Sequence, residues 1–216
     1  MLVFIPAELG LAVVVALLLY QRIRGWRVYQ MLVFVPVVIP VVVWGYIWTF
    51  LYSLDGPVNE TLDVIGLGKF SRLWLADPDY ALLAVMITYV WKDIGFPIIL
   101  FLARLLSLDP VLFDAAKIDG ASSPQTLWYI VIPLLREVIW VYAILSVMWI
   151  FTATFTYIYA MTGGGPGYST TVLGYYIYTK GFQEFKMGYA SAVSVILFVI
   201  VLAFVTIQMK SSKRGE

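Results

Sequence analysis

Cysteine and histidine are both absent from these 216 residues. Their absence removes disulfides, thiolate nucleophiles, imidazole bases and the usual zinc ligands, so any enzyme here would rest on carboxylates or lysine alone. Charge is scarce as well. Only 12% of residues are Asp, Glu, Lys or Arg, against about a quarter in a soluble domain. The net charge of +1 makes no case for nucleic acid or for an acidic partner. No Gly-x-x-x-x-Gly-Lys-Ser/Thr loop occurs, so the chain carries no phosphate cradle of that kind for ATP. No internal repeat is visible at any period, and nothing in the composition calls for a metal or a cofactor.

What abounds is apolar surface, at 62% of residues. Five apolar segments, near 1–20, 29–52, 80–105, 138–160 and 189–209, approach the roughly 20 residues that cross a bilayer as helix. The fold class predicted is all-α: a polytopic transmembrane helical bundle of about five spans, forming one domain over 1–216. The first segment has no basic residue before it and is followed by Arg22, Arg24 and Arg27, the reverse of a signal peptide. Aromatic residues gather at predicted ends, among them Tyr20, Trp26, Trp44, Trp48, Tyr52, Tyr157 and Tyr159, where amphipathic rings suit the headgroup layer of the membrane lipid. Pro36, Pro40 and Pro133 are expected to kink helices, and Gly45, Gly95 and Gly188 to mark close helix packing.

Basic residues orient the bundle. Arg22, Arg24, Arg27, Arg104, Lys117, Arg136, Lys210, Lys213 and Arg214 fall on one predicted side; Lys69, Arg72, Lys180 and Lys186 fall on the other, amid acids. The first side is therefore predicted cytoplasmic, with the C-terminus inside and the N-terminus outside a plasma or inner membrane. On that side lies the most structured loop, near 106–136. Asp109-Pro110 reads as an N-cap followed by proline at the first helical position, starting a short helix to about Ile118. Asp119-Gly120 stops it, with Gly120 in the left-handed conformation. Ser123-Pro124 repeats the device and starts a second helix toward Leu135. The result is a helix–turn–helix elbow with a low surface at Ala115, Ala116 and Ala121. Any polytopic protein needs capped loops, so the elbow alone assigns no function.

The residues within it narrow the choice. Asp114-Ala115-Ala116, then Gly120, then Ile130-Val131-Ile132-Pro133, flanked by Asp119 and Ala121, resemble the Glu-Ala-Ala loop by which ABC importer permeases grip their ATPase. A second series follows in order: Thr162-Gly163-Gly164-Gly165-Pro166, Tyr175-Tyr176-Ile177-Tyr178, Phe182 and Met187-Gly188-Tyr189-Ala190-Ser191-Ala192. The chain is similar along nearly its whole length to carbohydrate-uptake permeases of the maltose and glycerol-phosphate type. Departures are Asp114 for the usual Glu, Ile132 for Leu, and Glu137 where Pro is frequent. The resemblance implies six spans with an inside N-terminus, so a first span is expected to be missing here, through truncation or a misplaced start codon in preference to a genuine five-span variant.

The same resemblance implies a permease subunit of an ATP-driven importer, coupled to separate ATPase subunits through Asp114, Ala115, Ala116, Asp119, Gly120, Ala121, Ile130 and Pro133. It further implies a second permease subunit, an extracytoplasmic solute-binding protein and a sugar-like solute. It assigns to the solute path Tyr89, Lys92, Asp93 and Phe96 in the third span, and Phe151, Thr152, Thr154 and Phe155 in the fourth. Charges at Lys92 and Asp93, midway along a span, cost on the order of 3 kcal/mol each and must face a pathway or a partner helix. Adjacent on a helix and pointing about 100° apart, they are expected to be poor partners for each other. Binding neighbouring helices together is the plainer role for both. Glu8 is expected near the outer surface. Gly163, Gly164, Gly165 and Pro166 make a poor phosphate cradle, lacking a following Lys-Ser/Thr, and are read as an outer re-entry or docking turn. Two rivals remain: a self-contained secondary carrier or channel, and a membrane enzyme using Asp93 and Glu137 as acid and base. Neither accounts for the elbow motif.

Overall fold

The computed structural model describes residues 4–21 and 24–213, and among them there are helices and no strand. Helix α1 (Phe4–Tyr20) is followed by α2 (Trp26–Val38) and α3 (Val41–Leu51), then a short α4 (Pro57–Val64). Next come α5 (Ala81–Asp93), α6 (Gly95–Leu106), the elbow helix α7 (Pro110–Ile118) and α8 (Ser123–Thr126). The chain closes with α9 (Ile132–Thr152), α10 (Thr154–Met161), α11 (Leu173–Tyr178) and α12 (Met187–Lys213). Three helical runs, 81–106, 124–161 and 187–211, are long and apolar enough to cross a membrane by themselves. The 17-residue α1 is apolar but shorter, and α2 with α3 forms a bent pair.

That bend corrects the single second span expected over 29–52. The two helices meet at 102°, and the cause is Pro40. Its ring holds the preceding Ile39 extended, at φ −74° and ψ 135°, and its missing N–H frees the carbonyl of Pro36. The indole Nε1 of Trp44 donates to that carbonyl at 3.0 Å, so it is not left as an orphan acceptor in an apolar layer. Pro133 behaves differently. A π-helical turn over Leu127–Val131, in which the N–H of Ile132 reaches the carbonyl of Leu127, lies just ahead of it. The wider turn lets the helix pass the proline ring unbroken. The helix begun at the elbow therefore does not stop near Leu135 but runs on as one 38-residue element to Met161.

Two apolar cores form where these helices meet. In the core nearer the elbow, Ala12 and Ala16 of α1 are wholly buried and let it close on α6, against Ile98, Phe101, Leu102 and Leu105, with Leu135 and Tyr142 of α9 completing the cluster. The other joins Ile5 of α1 to Ala84, Val85, Met86 and Tyr89 of α5, with Val147, Ile150, Tyr157 and Ile158. Helix α12 leans on α9, where Gln208 Nε2 donates to the carbonyl of Ala143 at 3.3 Å; Val195, Ile196, Phe198, Val199 and Leu202 on its other faces are exposed. Gly45 belongs to a close approach as expected, since a Cβ there would stand 2.6 Å from that of Ala160. Gly188 does not: nothing lies within 4 Å.

Asn59 knots the segment between α3 and α5. Only 2% exposed, it donates from Nδ2 to the carbonyls of Ser53, Leu54 and Arg72 at 2.9–3.1 Å. Its Oδ1 accepts from the N–H of Arg72 at 3.2 Å and from Trp74 Nε1 at 2.9 Å. Arg72 in turn lies 3.8 Å from the centre of the Tyr80 ring. One amide thus ties four points of a connection that has little core of its own. Stranding these groups costs about 1–3 kcal/mol apiece. Asn59→Ala is expected to lower the melting midpoint of the detergent-purified protein and to expose 65–71 to protease. An unchanged midpoint together with unchanged cleavage would show that the amide does not hold this cap.

Candidate functional site

The elbow forms by local rules, with one shift of register. Asp109 Oδ1 accepts from the N–H of Val111 at 3.0 Å, the cap expected for α7. At its end Gly120 has φ +71°, and the N–H of Ala121 reaches the carbonyl of Ala116 at 2.9 Å, the long bond of a Schellman turn. The next cap is Ser122, not Ser123. Gln125 Oε1 accepts from the Ser122 N–H at 2.7 Å and from its hydroxyl at 2.8 Å, the reach-back of a capping box, and this places Pro124 one position further in. Ala116 is buried, Ala121 and Ile130 are half-buried, and Asp114, Ala115, Asp119, Gly120 and Pro133 are exposed. Phe113 packs on Tyr20 of α1 with ring centres 5.4 Å apart. Between the end of α1 and the elbow lies a cavity of about 800 Å³ lined by Leu17, Tyr20, Phe113, Asp114, Pro124 and Leu127.

At the seam between the two apolar cores lies a layer of polar side chains from four helices. Asp93, the last residue of α5, accepts from Lys92 Nζ at 2.9 Å and from the hydroxyl of Tyr157 on α10 at 2.5 Å. The neighbours judged poor partners do pair. Lysine's four-carbon stem swings its ammonium around the helix, and Asp93 stands where α5 ends at Ile94. Asp93 stands four residues before Pro97, whose ring crowds its carbonyl. Across the layer, Glu8 of α1 is only 1% exposed, not near a surface, and its Oε1 accepts from the hydroxyl of Tyr142 on α9 at 2.6 Å. Tyr89 packs on Tyr157 at 5.5 Å, edge to face. Tyr157, expected in the headgroup layer, is wholly buried.

The remaining path residues do not form one face. Phe96 is 37% exposed and packs on Trp149 at 5.2 Å. Phe151 meets Phe204 of α12 at 6.0 Å. The hydroxyls of Thr152 and Thr154 donate to their own helix, to the carbonyls of Met148 at 2.8 Å and Ile150 at 2.6 Å. Phe155 turns away toward Tyr178 of α11, 5.4 Å between ring centres. Glu137 is exposed on the elbow side of α9, and Asp93 is hydrogen-bonded elsewhere, so the acid–base pair of the enzyme reading is not assembled. The stretch holding Gly163, Gly164, Gly165 and Pro166 is a tight turn stapled by threonines. Thr170 donates to the carbonyl of Gly165 at 2.7 Å and Thr171 to that of Gly164 at 3.0 Å, with the Thr162 and Thr170 hydroxyls 2.8 Å apart.

Sequence reasoning missed the roles of Glu8, Tyr142 and Tyr157. The available signal was an acid inside an apolar helix, which needs a partner. Nothing local named a tyrosine 134 residues away as that partner.

The family model described as "Binding-protein-dependent transport system inner membrane component" matches residues 8–211. The chain is 32% identical over 209 residues to the probable ABC transporter permease protein YurN of Bacillus subtilis, covering 96% of this chain and 71% of that one. It is 33% identical to the multiple sugar-binding transport system permease protein MsmF of Streptococcus mutans, covering 100% and 73%. To the sn-glycerol-3-phosphate transport system permease protein UgpA of Agrobacterium fabrum it is 34% identical, covering 94% and 69%. Among solved structures it is similar to a chain of a bacterial ABC transporter involved in the import of the acidic polysaccharide alginate. There the TM-score is 0.84 at 26% identity, covering 97% of this chain and 77% of that one.

The ion pair generates a direct test. Lys92→Met leaves Asp93 with Tyr157 as its one remaining partner among those described here, a loss of about 3 kcal/mol for a buried pair. It is expected to lower the melting midpoint and the amount of protein in the membrane. Lys92→Met combined with Asp93→Asn removes both charges and is expected to recover most of that loss. A double variant as unstable as the single one would show that charge pairing is not what the two residues contribute.

Proposed function

The chain belongs to the inner membrane components of binding-protein-dependent transport systems, and we propose that it lines the path by which a sugar or related polyhydroxy solute enters the cell. As a member of that family it is a multi-pass membrane transporter component rather than an enzyme, and it works with a solute-binding protein. The finer reading adds separate ATPase subunits gripping the elbow through Asp114, Ala115, Ala116, Asp119, Gly120, Ala121, Ile130 and Pro133. It adds a second permease subunit to cover the path, and a cytoplasmic elbow and C-terminus. Sugars and glycerol 3-phosphate as solutes are suggested by the relatives that carry those names, and an acidic polysaccharide by the structural neighbour.

One observation carries this reading: the capped elbow continues without a break into the helix that reaches the polar layer. At 1.5 Å per residue the 38 residues from Pro124 to Met161 make a rod about 57 Å long. It bears Tyr142 and Tyr157, so a push on the elbow is delivered to Glu8 and Asp93 with little slack. Rocking of helix bundles around a central site is a general transporter motion. The nine basic residues that the sequence assigns to the elbow's side of the membrane, against four on the other, support the orientation. A self-contained carrier would have no use for a rigid elbow on this rod.

The test is co-purification of the ATPase with the full chain. Gly120→Pro demands φ near −65° where the chain holds +71°, and Asp114→Lys reverses an exposed charge. Both are expected to leave membrane levels intact while the ATPase and solute uptake are lost. Normal ATPase binding by both variants would overturn the coupling role of the elbow.

A further inference from the structure

Two polar atoms in the seam are buried and have no hydrogen-bond partner, Oε2 of Glu8 and the hydroxyl of Tyr89. Each belongs to a side chain 1% exposed. Buried polar atoms left in this condition are uncommon and call for a ligand, a water or a second conformation. The two are chemically complementary. A carboxylate oxygen accepts and a phenol donates, and one hydroxyl group can answer both, giving its proton to Glu8 and receiving that of Tyr89. The surroundings favour a built site. The other oxygen of Glu8 is held by Tyr142 at 2.6 Å, and the Tyr89 ring is braced by Tyr157 at 5.5 Å. Ile5, one turn from Glu8, packs in the same cluster as Tyr89.

We infer that Glu8 and Tyr89 form a hydroxyl-binding element within the permeation route, filled in turn by water and by a hydroxyl of the passing solute. The inference rests on the importer reading. It adds Glu8, from the first helix described here, to the residues that meet solute, and gives Tyr89 a donor's role rather than a packing one. Both atoms are occluded in the present conformation, so the element is reached only when the rod carrying Tyr142 and Tyr157 moves.

The absence of native cysteine makes the test clean. Glu8→Cys, Tyr89→Cys and, as a control in the neighbouring dry core, Ile5→Cys are assembled with the ATPase in membrane vesicles. A small charged thiosulfonate is added to both faces, with and without ATP. Co-purified ATPase verifies assembly, so a failure of the importer reading shows itself separately. The result expected is labelling at positions 8 and 89 in at least one nucleotide state, and none at position 5. Protection by sn-glycerol 3-phosphate or by an alginate pentasaccharide, presented with the binding protein, assigns the hydroxyl to solute. Labelling that neither probe protects assigns it to water in the route. Assembled transporters that stay unlabelled at 8 and 89 in every state, or that label equally at 5, would overturn the inference. Should Glu8→Cys fail to assemble, Tyr89→Cys against Ile5→Cys decides it alone.

Discussion

Within a bilayer there is no water to answer a stranded polar group, so each one must find its partner inside the protein. Much of this structure is a set of answers to that demand. Pro40 breaks a span, and Trp44 takes the carbonyl that the proline cannot serve. Asn59 gathers backbone groups from both sides of α4 in the connection between α3 and α5. Asp93 is held by a lysine and a tyrosine, Glu8 by another tyrosine. Among the described residues the demand goes unmet at five buried side-chain atoms, and two of them, Glu8 Oε2 and the Tyr89 hydroxyl, stand in the same layer.

That layer changes how the bundle is understood mechanically. Apolar cores resist being pulled apart because separating their close-packed side chains opens space that nothing fills. A polar seam between two such cores is a plane of weaker resistance, since its hydrogen bonds can be exchanged for others of equal kind. Four elements reach the seam through one to three polar side chains each: α1 by Glu8, α5 by Tyr89, Lys92 and Asp93, α9 by Tyr142 and α10 by Tyr157. Two of these lie on the rod that starts at the elbow. In the proposed mechanism the elbow supplies displacement, the rod transmits it and the seam yields.

Much of this was legible beforehand, for reasons that can be named. Four of the five apolar segments lie along unbroken helical runs and the second is split at Pro40; the runs were legible because burying backbone in lipid requires long apolar stretches, and run length is written in one dimension. The elbow was legible because caps and turns are local: Asp109, the left-handed Gly120 and the break after Ile118 each depend on a few neighbouring residues. Even there the register slipped by one, since Ser122 and Ser123 are both competent caps and Gln125, three residues on from the first, decides between them. Pro133 misled because a proline's effect depends on whether the preceding turn widens to receive it. The burial of Tyr157 and of Glu8 against aspartate and tyrosine partners was not foreseen for a similar reason, as an aromatic or acidic side chain in an apolar helix suits either an interface or a partner.

The residues that meet in the seam come from positions 8, 89, 92, 93, 142 and 157, and no spacing rule joins them. Their union depends on which faces α1, α5, α9 and α10 turn toward one another, which is settled by side-chain packing summed over whole helices. The sequence by itself determined the membrane class, the helical runs, the family motifs and the local geometry of the elbow, because each depends on composition or on neighbours within a turn or two. Only the tertiary structure decided that the elbow and the buried tyrosines share one rod, that Lys92 pairs with Asp93, and that Glu8 faces a tyrosine 134 residues along the chain. Those are relations between surfaces distant in sequence, and they exist only once the helices have packed.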